Sequence, residues 1–317
     1  MEESLKKFPE QFLFDPEIVN AAQLAPSYAR YTIVGMGGSA LAADLLRAVD
    51  PALPIFMHRS YDLPPHAEDG LVIASSYSGN TEETIDALKI AHSKGLPLCV
   101  IADSGALLEL AREYKVPYID LPQGGIQPRA ALGYSFRAFS KILQLAGILE
   151  ESKKLSESLE SLQLKEAGKS IAAEIGSRVP IIYTSTARAP IGYIWKIALN
   201  ETGKTPAFAN VFPELNHNEL EGMKTRADEF SRVFHFLFLR GHSDHPRIQK
   251  RMDLTEEMYR ALNYQVTRVP AVEGPRLHEI FSSVLLGLWT ANFTAVNMNV
   301  DPEQVLLVEE FKRKLAS

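Results

Sequence analysis

The chain has 317 residues, 46% of them hydrophobic, a mean hydropathy near zero and a net charge of −6 with acids and bases interspersed. That length accommodates two domains or one large α/β domain and is ample for a buried core. The mild, mixed charge excludes a polyanion-binding surface for nucleic acid or an anionic membrane, which leaves a small molecule as the expected partner.

Met1 is followed by Glu2 and Glu3, and no apolar run approaches the length of a signal or membrane segment, so a cytoplasmic protein is expected. The single cysteine, Cys99, lies in the apolar run Pro97-Leu98-Cys99-Val100-Ile101 and reads as a buried strand residue. It has no intramolecular disulfide partner, which suits a reducing compartment.

Residues 1 to about 28 form a polar lead-in with helical character from Pro16 to Leu24 and no assigned chemistry. Tyr31-Thr32-Ile33-Val34 then reads as a buried strand that ends in Gly35-Met36-Gly37-Gly38-Ser39, with a helix from Ala40 to Val49. The spacing is not G-x-G-x-x-G, and the next strand, Ile55–His58, runs into Arg59 where a dinucleotide site has an acid. No nicotinamide cofactor is expected.

The central stretch is Leu71 to Glu83, LVIASSYSGNTEE: a strand, a hydroxyl-rich turn and a helix from Glu82 to His92. Unpaired N–H groups and the positive dipole end make a helix start a seat for an anion. Ser76, Ser78 and Thr81 add hydroxyl donors, and Gly79 lets the backbone approach closely. The turn has no lysine, so it is not a nucleotide P-loop. The alternative is that Ser78 or Thr81 merely caps the helix while Glu82 and Glu83 offset its dipole. S-S-Y-S-G-N-T-E-E-T resembles the phosphosugar-binding signature of sugar isomerase (SIS) domains, and Gly35-Met36-Gly37-Gly38-Ser39 resembles their first-strand turn.

Strands at Pro97–Ala102 and Tyr118–Leu121 flank a helix at Gly105–Arg112. This alternation predicts a parallel sheet with helices on both faces and ligands at the carboxyl ends of its strands. A loop, Pro122 to Ala130, precedes a helix from about Ala131 to Leu149. Arg129 stands at the start of that helix, where the dipole disfavours a cation, so it asks for an anionic partner unless it is a plain exposed loop residue. The charged helical stretch 151–177 reads as a solvated connector between residues 1–150 and 178–317.

The second half opens with a strand at Pro180–Ser185, and Pro190 suits the first turn of a helix that runs from Ile191 to Glu201. Strands at Val233–Leu239 and Gln265–Val269 and helices at Pro246–Leu262, Arg276–Asn297 and Glu303–Leu315 repeat the alternation of the first half without its sequence, as a distant duplication would. Thr184-Ser185-Thr186-Ala187-Arg188 also follows a strand and opens a helix, which makes it a candidate second anion site, and the resemblance to sugar isomerase domains implies such a vestige through their pseudo-symmetry.

Glu201 closes its helix in Asn200-Glu201-Thr202-Gly203-Lys204, where the dipole opposes a carboxylate. Proton abstraction beside a carbonyl would repay that placement; a surface pair with Lys204 is the plainer reading. His217, in Pro213-Glu214-Leu215-Asn216-His217-Asn218-Glu219-Leu220-Glu221-Gly222, is a proton shuttle or a helix-start residue. A metal with Glu221 lacks a third ligand, so no metal is expected. His242 and His245 read as solvated.

N-E-T-G-K, P-E-L-N-H-N-E-L-E-G and D-P-E-Q-V-L-L-V-E-E-F-K, together with the two turns, resemble the bifunctional phosphoglucose/phosphomannose isomerases of the phosphoglucose isomerase superfamily from Tyr31 to Leu315. The resemblance implies two doubly wound, flavodoxin-like parallel-sheet SIS subdomains packed together, and a metal- and cofactor-free isomerase. Glucose 6-phosphate, and in this family mannose 6-phosphate, would exchange with fructose 6-phosphate through a cis-enediol(ate). Glu201 matches the base, His217 the ring-opening histidine that reaches in from the partner of a homodimer, and Arg129 the arginine on the enediolate. Lys312, or Lys314 two residues on, matches a lysine near the ring oxygen. Gly37, Gly38, Ser39, Ser76, Ser78 and Thr81 match the phosphate-binding turns. Gln304 to Leu307 hold no hydroxyl of the kind associated with mannose acceptance, which favours the glucose epimer. A phosphosugar sensor without turnover, or an isomerase of another phosphosugar, are the rival readings; no basic helix-turn-helix accompanies the chain to favour the sensor.

Overall fold

The computed structural model describes residues 1–315. The chain forms two compact units, one spanning Lys6–Leu159 and the other Met1–Leu5 with the chain from Glu160 onward. Each is a doubly wound α/β unit built on its own parallel sheet.

After a short opening helix, α1 (Glu2–Lys6), the amino-terminal unit runs β1 (Tyr31–Val34), α2 (Gly38–Val49), β2 (Ile55–His58), β3 (Leu71–Ser75), α3 (Glu82–Ser93), β4 (Leu98–Ala102), α4 (Gly105–Glu113) and β5 (Tyr118–Asp120). Its five strands lie in the order β2-β1-β3-β4-β5, all parallel, with Tyr31 opposite both Ile55 and Leu71. Strands covered on both faces read as continuous apolar runs, and every residue of β1, β3 and β4 is buried. Cys99 belongs to this core, and burial pushes its thiol up to about 12, which leaves it inert.

The lead-in differs from expectation. Between Pro16 and Leu24 helical geometry is confined to the 3-10 turn Ala21–Gln23, a further 3-10 turn lies upstream at Phe8–Leu13, and Val19 forms an antiparallel bridge to Tyr118. The single helix expected to Leu149 is two, α5 (Leu132–Ile142) and α6 (Ala146–Lys153), broken where Gln144 takes a positive φ of 56°. The buried Arg137 spans the break, its Nη1 donating to Leu149 O at 2.7 Å and Ser152 Oγ at 2.8 Å. A short α7 (Leu155–Ser158) ends the unit.

In the carboxy-terminal unit the order is α8 (Ser161–Ile175), β6 (Val179–Ser185), α9 (Ala189–Glu201), β7 (Phe208–Phe212), α10 (Leu215–Asn218), α11 (Ala227–Phe230), β8 (Phe234–Leu239), α12 (Pro246–Ala261), β9 (Gln265–Val269), α13 (Arg276–Asn297) and α14 (Leu306–Leu315). The strand order β7-β6-β8-β9 repeats the second-first-third-fourth order that begins the other sheet. One face packs aromatic rings, Tyr183, Phe212, Phe236, Phe238 and Tyr259, with Phe236 and Tyr259 centroids 4.5 Å apart. By length and composition α13 could cross a membrane, contrary to the expectation that no such run exists, but 89% of its apolar window is buried. It is the core helix of this unit, with Trp289 Nε1 donating to Ser161 Oγ at 3.3 Å on α8. Residues 151–177 are therefore not one solvated connector: α6 and α7 belong to the first unit, and α8 packs on α13 in the second.

His235 on β8 is buried, its Nε2 2.8 Å from Thr267 Oγ1 on β9. Burial, aided by Arg178 and opposed by Glu174, pushes its pKa down from 6.5 to about 4. The folded ring stays neutral where the unfolded chain protonates, so stability present above pH 6.5 is lost as the pH falls toward 4. Urea titrations at pH 7 and pH 5 are expected to show a loss of about 2 kcal/mol from this residue, which His235→Gln removes; an unchanged pH slope in the variant contradicts the assignment.

Candidate active site

In the amino-terminal unit the three expected loops meet. Ser39 opens α2 with its side chain turned toward the end of β3, where its Oγ accepts the Tyr77 N–H at 2.8 Å. Ser75 Oγ donates to Ser39 O at 2.9 Å, which closes the link between the two turns. Gly38 lies directly against the loop before α5: a β-carbon there would sit 2.6 Å from Pro128 C and 2.7 Å from Arg129 N. Arg129 is consequently brought to the first turn. Its residue is buried at 3% exposure in the 3-10 turn Pro128–Ala130, with Nη1 donating to Gln127 Oε1 at 3.0 Å. It is therefore not the exposed loop arginine of the plainer reading.

The hydroxyls of the second turn do not cap α3. Thr81 occupies the N-cap with extended dihedrals and makes no side-chain capping bond; its Oγ1 lies 2.8 Å from Ser76 Oγ instead. In such a pair one hydroxyl donates to the other, which leaves one proton to donate elsewhere, and Ser39, whose oxygen accepts from Tyr77, keeps its own. Ser78 is exposed at the tip. Gly79, at φ +67°, presses on the loop after β4 so closely that a β-carbon would fall 1.7 Å from Ser104 O. Asn80 Oδ1 accepts the Ala106 N–H at 3.1 Å and fixes the same contact. The result is a rim of hydroxyls and helix-start N–H groups at the carboxyl ends of β1 and β3 with a buried guanidinium beside it, an arrangement suited to a dianion.

In the carboxy-terminal unit Glu201 is the last residue of α9 and is half-buried. It lines a cavity of about 640 Å³ with Lys204, Thr205 and the segment Val300, Asp301 and Gln304 to Val308. Lys204 turns back at a positive φ, and its Nζ donates to Glu201 O at 2.5 Å and also to Gln304 O, joining the end of α9 to the start of the last segment. His217 is exposed on α10. Its neighbour Glu219 is anchored, accepting from Tyr183 Oη and Asn210 Nδ2. Burial holds the Tyr183 phenol well above its ordinary range, and it remains a donor. Lys312 and Lys314 are both exposed on α14 and outside the lining of the cavity; Lys314 Nζ is 2.5 Å from Glu310 Oε1.

The turn after β6 is filled by the chain's own groups. Ser185 Oγ donates to Asp244, Thr186 Oγ1 donates to Phe212 O at 2.9 Å, and Arg188 pairs with Glu279, both almost wholly buried. His245 is not merely solvated: its Nδ1 accepts the Arg247 N–H at 3.1 Å and caps α12. Sequence reasoning had no signal for Tyr77 or Tyr183, whose partners lie far off in the chain, or for Asn210, which itself sits on an edge strand.

Two parallel-sheet units with strand-end hydroxyl turns define a sugar isomerase (SIS) fold, and the comparisons agree. Residues 164–315 match the family described as the bacterial phospho-glucose isomerase C-terminal SIS domain. A glucose-6-phosphate isomerase like protein from Thermus thermophilus superposes with a TM-score of 0.63 at 15% identity, covering 98% of this chain and 93% of that one. The bifunctional phosphoglucose/phosphomannose isomerase of Caldicellulosiruptor bescii is 34% identical over 100% of this chain and 99% of its own length. The protein of the same name from Aquifex aeolicus is 33% identical over 99% and 98%. The chain belongs to the family of bifunctional phosphoglucose/phosphomannose isomerases.

Gly38→Ala is expected to cost about 1–3 kcal/mol in a denaturant titration, because the β-carbon meets backbone that cannot swing aside. A variant as stable as the parent would mean that the Arg129 loop is not seated against α2.

Proposed function

We propose that this chain interconverts glucose 6-phosphate and fructose 6-phosphate by proton transfer through a cis-enediol(ate), without a metal. The observation that carries the reading is the meeting of the Gly-Gly-Ser turn, the Ser76–Thr81 turn and Arg129 in one unit. Family membership supports phosphosugar isomerisation.

In this reading Gly37, Gly38, Ser39, Ser76, Ser78 and Thr81 hold the phosphate, and binding energy from that remote group aims the reacting end of the sugar. His217 helps open the ring as an acid/base group, donated across a homodimer, a role its exposure on a four-residue helix permits. Glu201 takes the proton from one of C1 and C2 and returns it to the other, while the Arg129 guanidinium balances the charge that develops on the enediolate oxygen. Base, acid and cation then all come from side chains. Lys312 is preferred over Lys314 as the cation near the ring oxygen, since Lys314 is engaged by Glu310. Mannose 6-phosphate gives the same enediol after rotation about C2–C3. Gln304 to Leu307, which line the cavity beside Glu201 without a hydroxyl, support a preference for the glucose epimer.

The test is conversion of both aldose phosphates to fructose 6-phosphate in EDTA. Wild type is expected to turn over, with kcat/KM lower for the mannose epimer, and Glu201→Gln to lose about 10²- to 10⁴-fold in kcat. Undiminished turnover in Glu201→Gln removes it as the base, and a hexose phosphate that raises Tm without being converted favours a sensor. Lys312→Ala is expected to impair turnover where Lys314→Ala does not; the reverse order moves the assignment to Lys314.

A further inference from the structure

We infer that Gln11, in the lead-in that precedes both sheets, is a positioning residue for Arg129. The inference rests on the role given to Arg129 above.

The sequence around the arginine, Pro128-Arg129-Ala130-Ala131-Leu132-Gly133, starts a helix without a capping side chain. The N-cap of α5 is Ala131, which has no oxygen to offer the orphan N–H groups of the first turn. Gln11 supplies the missing partners from more than a hundred residues away. Its Oε1 accepts the Gly133 N–H at 2.9 Å, and its Nε2 donates to Ala130 O at 2.7 Å. Both groups are interior, and Gln11 itself is 1% exposed.

The contact is built rather than incidental. Gln11 sits in the 3-10 turn Phe8–Leu13 between Phe8 and Phe12, whose rings are wholly buried and meet edge-on with centroids 5.9 Å apart. A β-carbon on Gly133 would lie 2.7 Å from Gln11 Cβ, so the small residue at that position is what admits the amide. The Arg129 loop is thereby held on two sides: Gly38 abuts the Pro128–Arg129 peptide, and the Gln11 amide bridges the carbonyl of the next residue to the first turn of α5. Removing that amide leaves a buried carbonyl and a buried N–H unpaired and frees the loop to shift.

Gln11→Met keeps the length and loses both bonds; Gln11→Glu keeps the acceptor for Gly133 and loses the donor to Ala130. Steady-state kinetics with glucose 6-phosphate are run on each, alone and combined with Arg129→Met, alongside thermal unfolding. Gln11→Met is expected to lower kcat by about 10- to 100-fold with little change in KM, and Gln11→Glu to lie between it and wild type. In the Arg129→Met background the same substitutions are expected to leave kcat nearly unchanged, because the group they act through is gone. A Tm shift without a kcat effect, or an equal kcat loss in both backgrounds, overturns the inference while leaving the Arg129 assignment standing. If Arg129→Met alone retains full kcat, that assignment fails and the inference with it. Should Gln11→Met not fold, Gln11→Glu carries the same comparison.

Discussion

One hydrogen bond, from the Tyr77 N–H to the Ser39 hydroxyl, decides what the amino-terminal unit presents at its strand ends. It joins a helix start after β1 to a turn after β3, two segments that the parallel register of Tyr31 with Leu71 already brings level. With the Ser39 oxygen accepting from Tyr77, its proton remains available to donate, and in the Ser76–Thr81 pair one of the two hydroxyls likewise keeps a proton to donate. Without Tyr77 fixing Ser39, each hydroxyl would be free to turn back on its own backbone and cap a helix, as such residues commonly do. The orientation of donors is thus a product of chain pairing, and the buried guanidinium of Arg129 beside them follows from the same economy of space at Gly38.

The duplicated fold supplies an internal comparison. β6 holds the place in its sheet that β1 holds in the other, and it is followed by hydroxyl residues and an arginine. There Asp244 accepts from Ser185, and Glu279 engages Arg188, whose charge burial disfavours and Glu279 upholds. Carboxylates of the chain engage these groups, and the turn becomes part of the core. A buried ion pair of this kind adds little net stability over apolar packing, but it cannot be half removed cheaply. Similar strand-end residues are thus tied into a structural knot in the carboxy-terminal unit, while in the amino-terminal unit they form the rim on which the proposed phosphate site rests.

Much of the architecture was legible because parallel strands buried on both faces must be unbroken apolar runs; Tyr31–Val34, Leu71–Ser75 and Leu98–Ala102 stand out for that reason. β7 did not: Phe208-Ala209-Asn210-Val211-Phe212 is an edge strand with Phe208 exposed and a polar residue at its centre, so its pattern resembles a loop. The break at Gln144 was hidden because a residue with an ordinary side chain takes the left-handed conformation, where glycine would have announced it. Of the candidate site, residue types and strand-end positions could be read, since each turn follows directly on its strand. What could not be read was partnership. Gln11 was passed over in a polar lead-in because the carbonyl and N–H that it satisfies are 119 and 122 positions away, and no local pattern encodes such a bond.

The central claim is that both strand-end turns of the amino-terminal unit grip one dianion. A crystal structure of the chain soaked with fructose 6-phosphate addresses it directly. The account predicts the phosphate within hydrogen-bonding distance of hydroxyl or backbone N–H groups from both Ser39 and the Ser76–Thr81 turn. A phosphate bound by only one of these turns, or seated elsewhere on the chain, would contradict it.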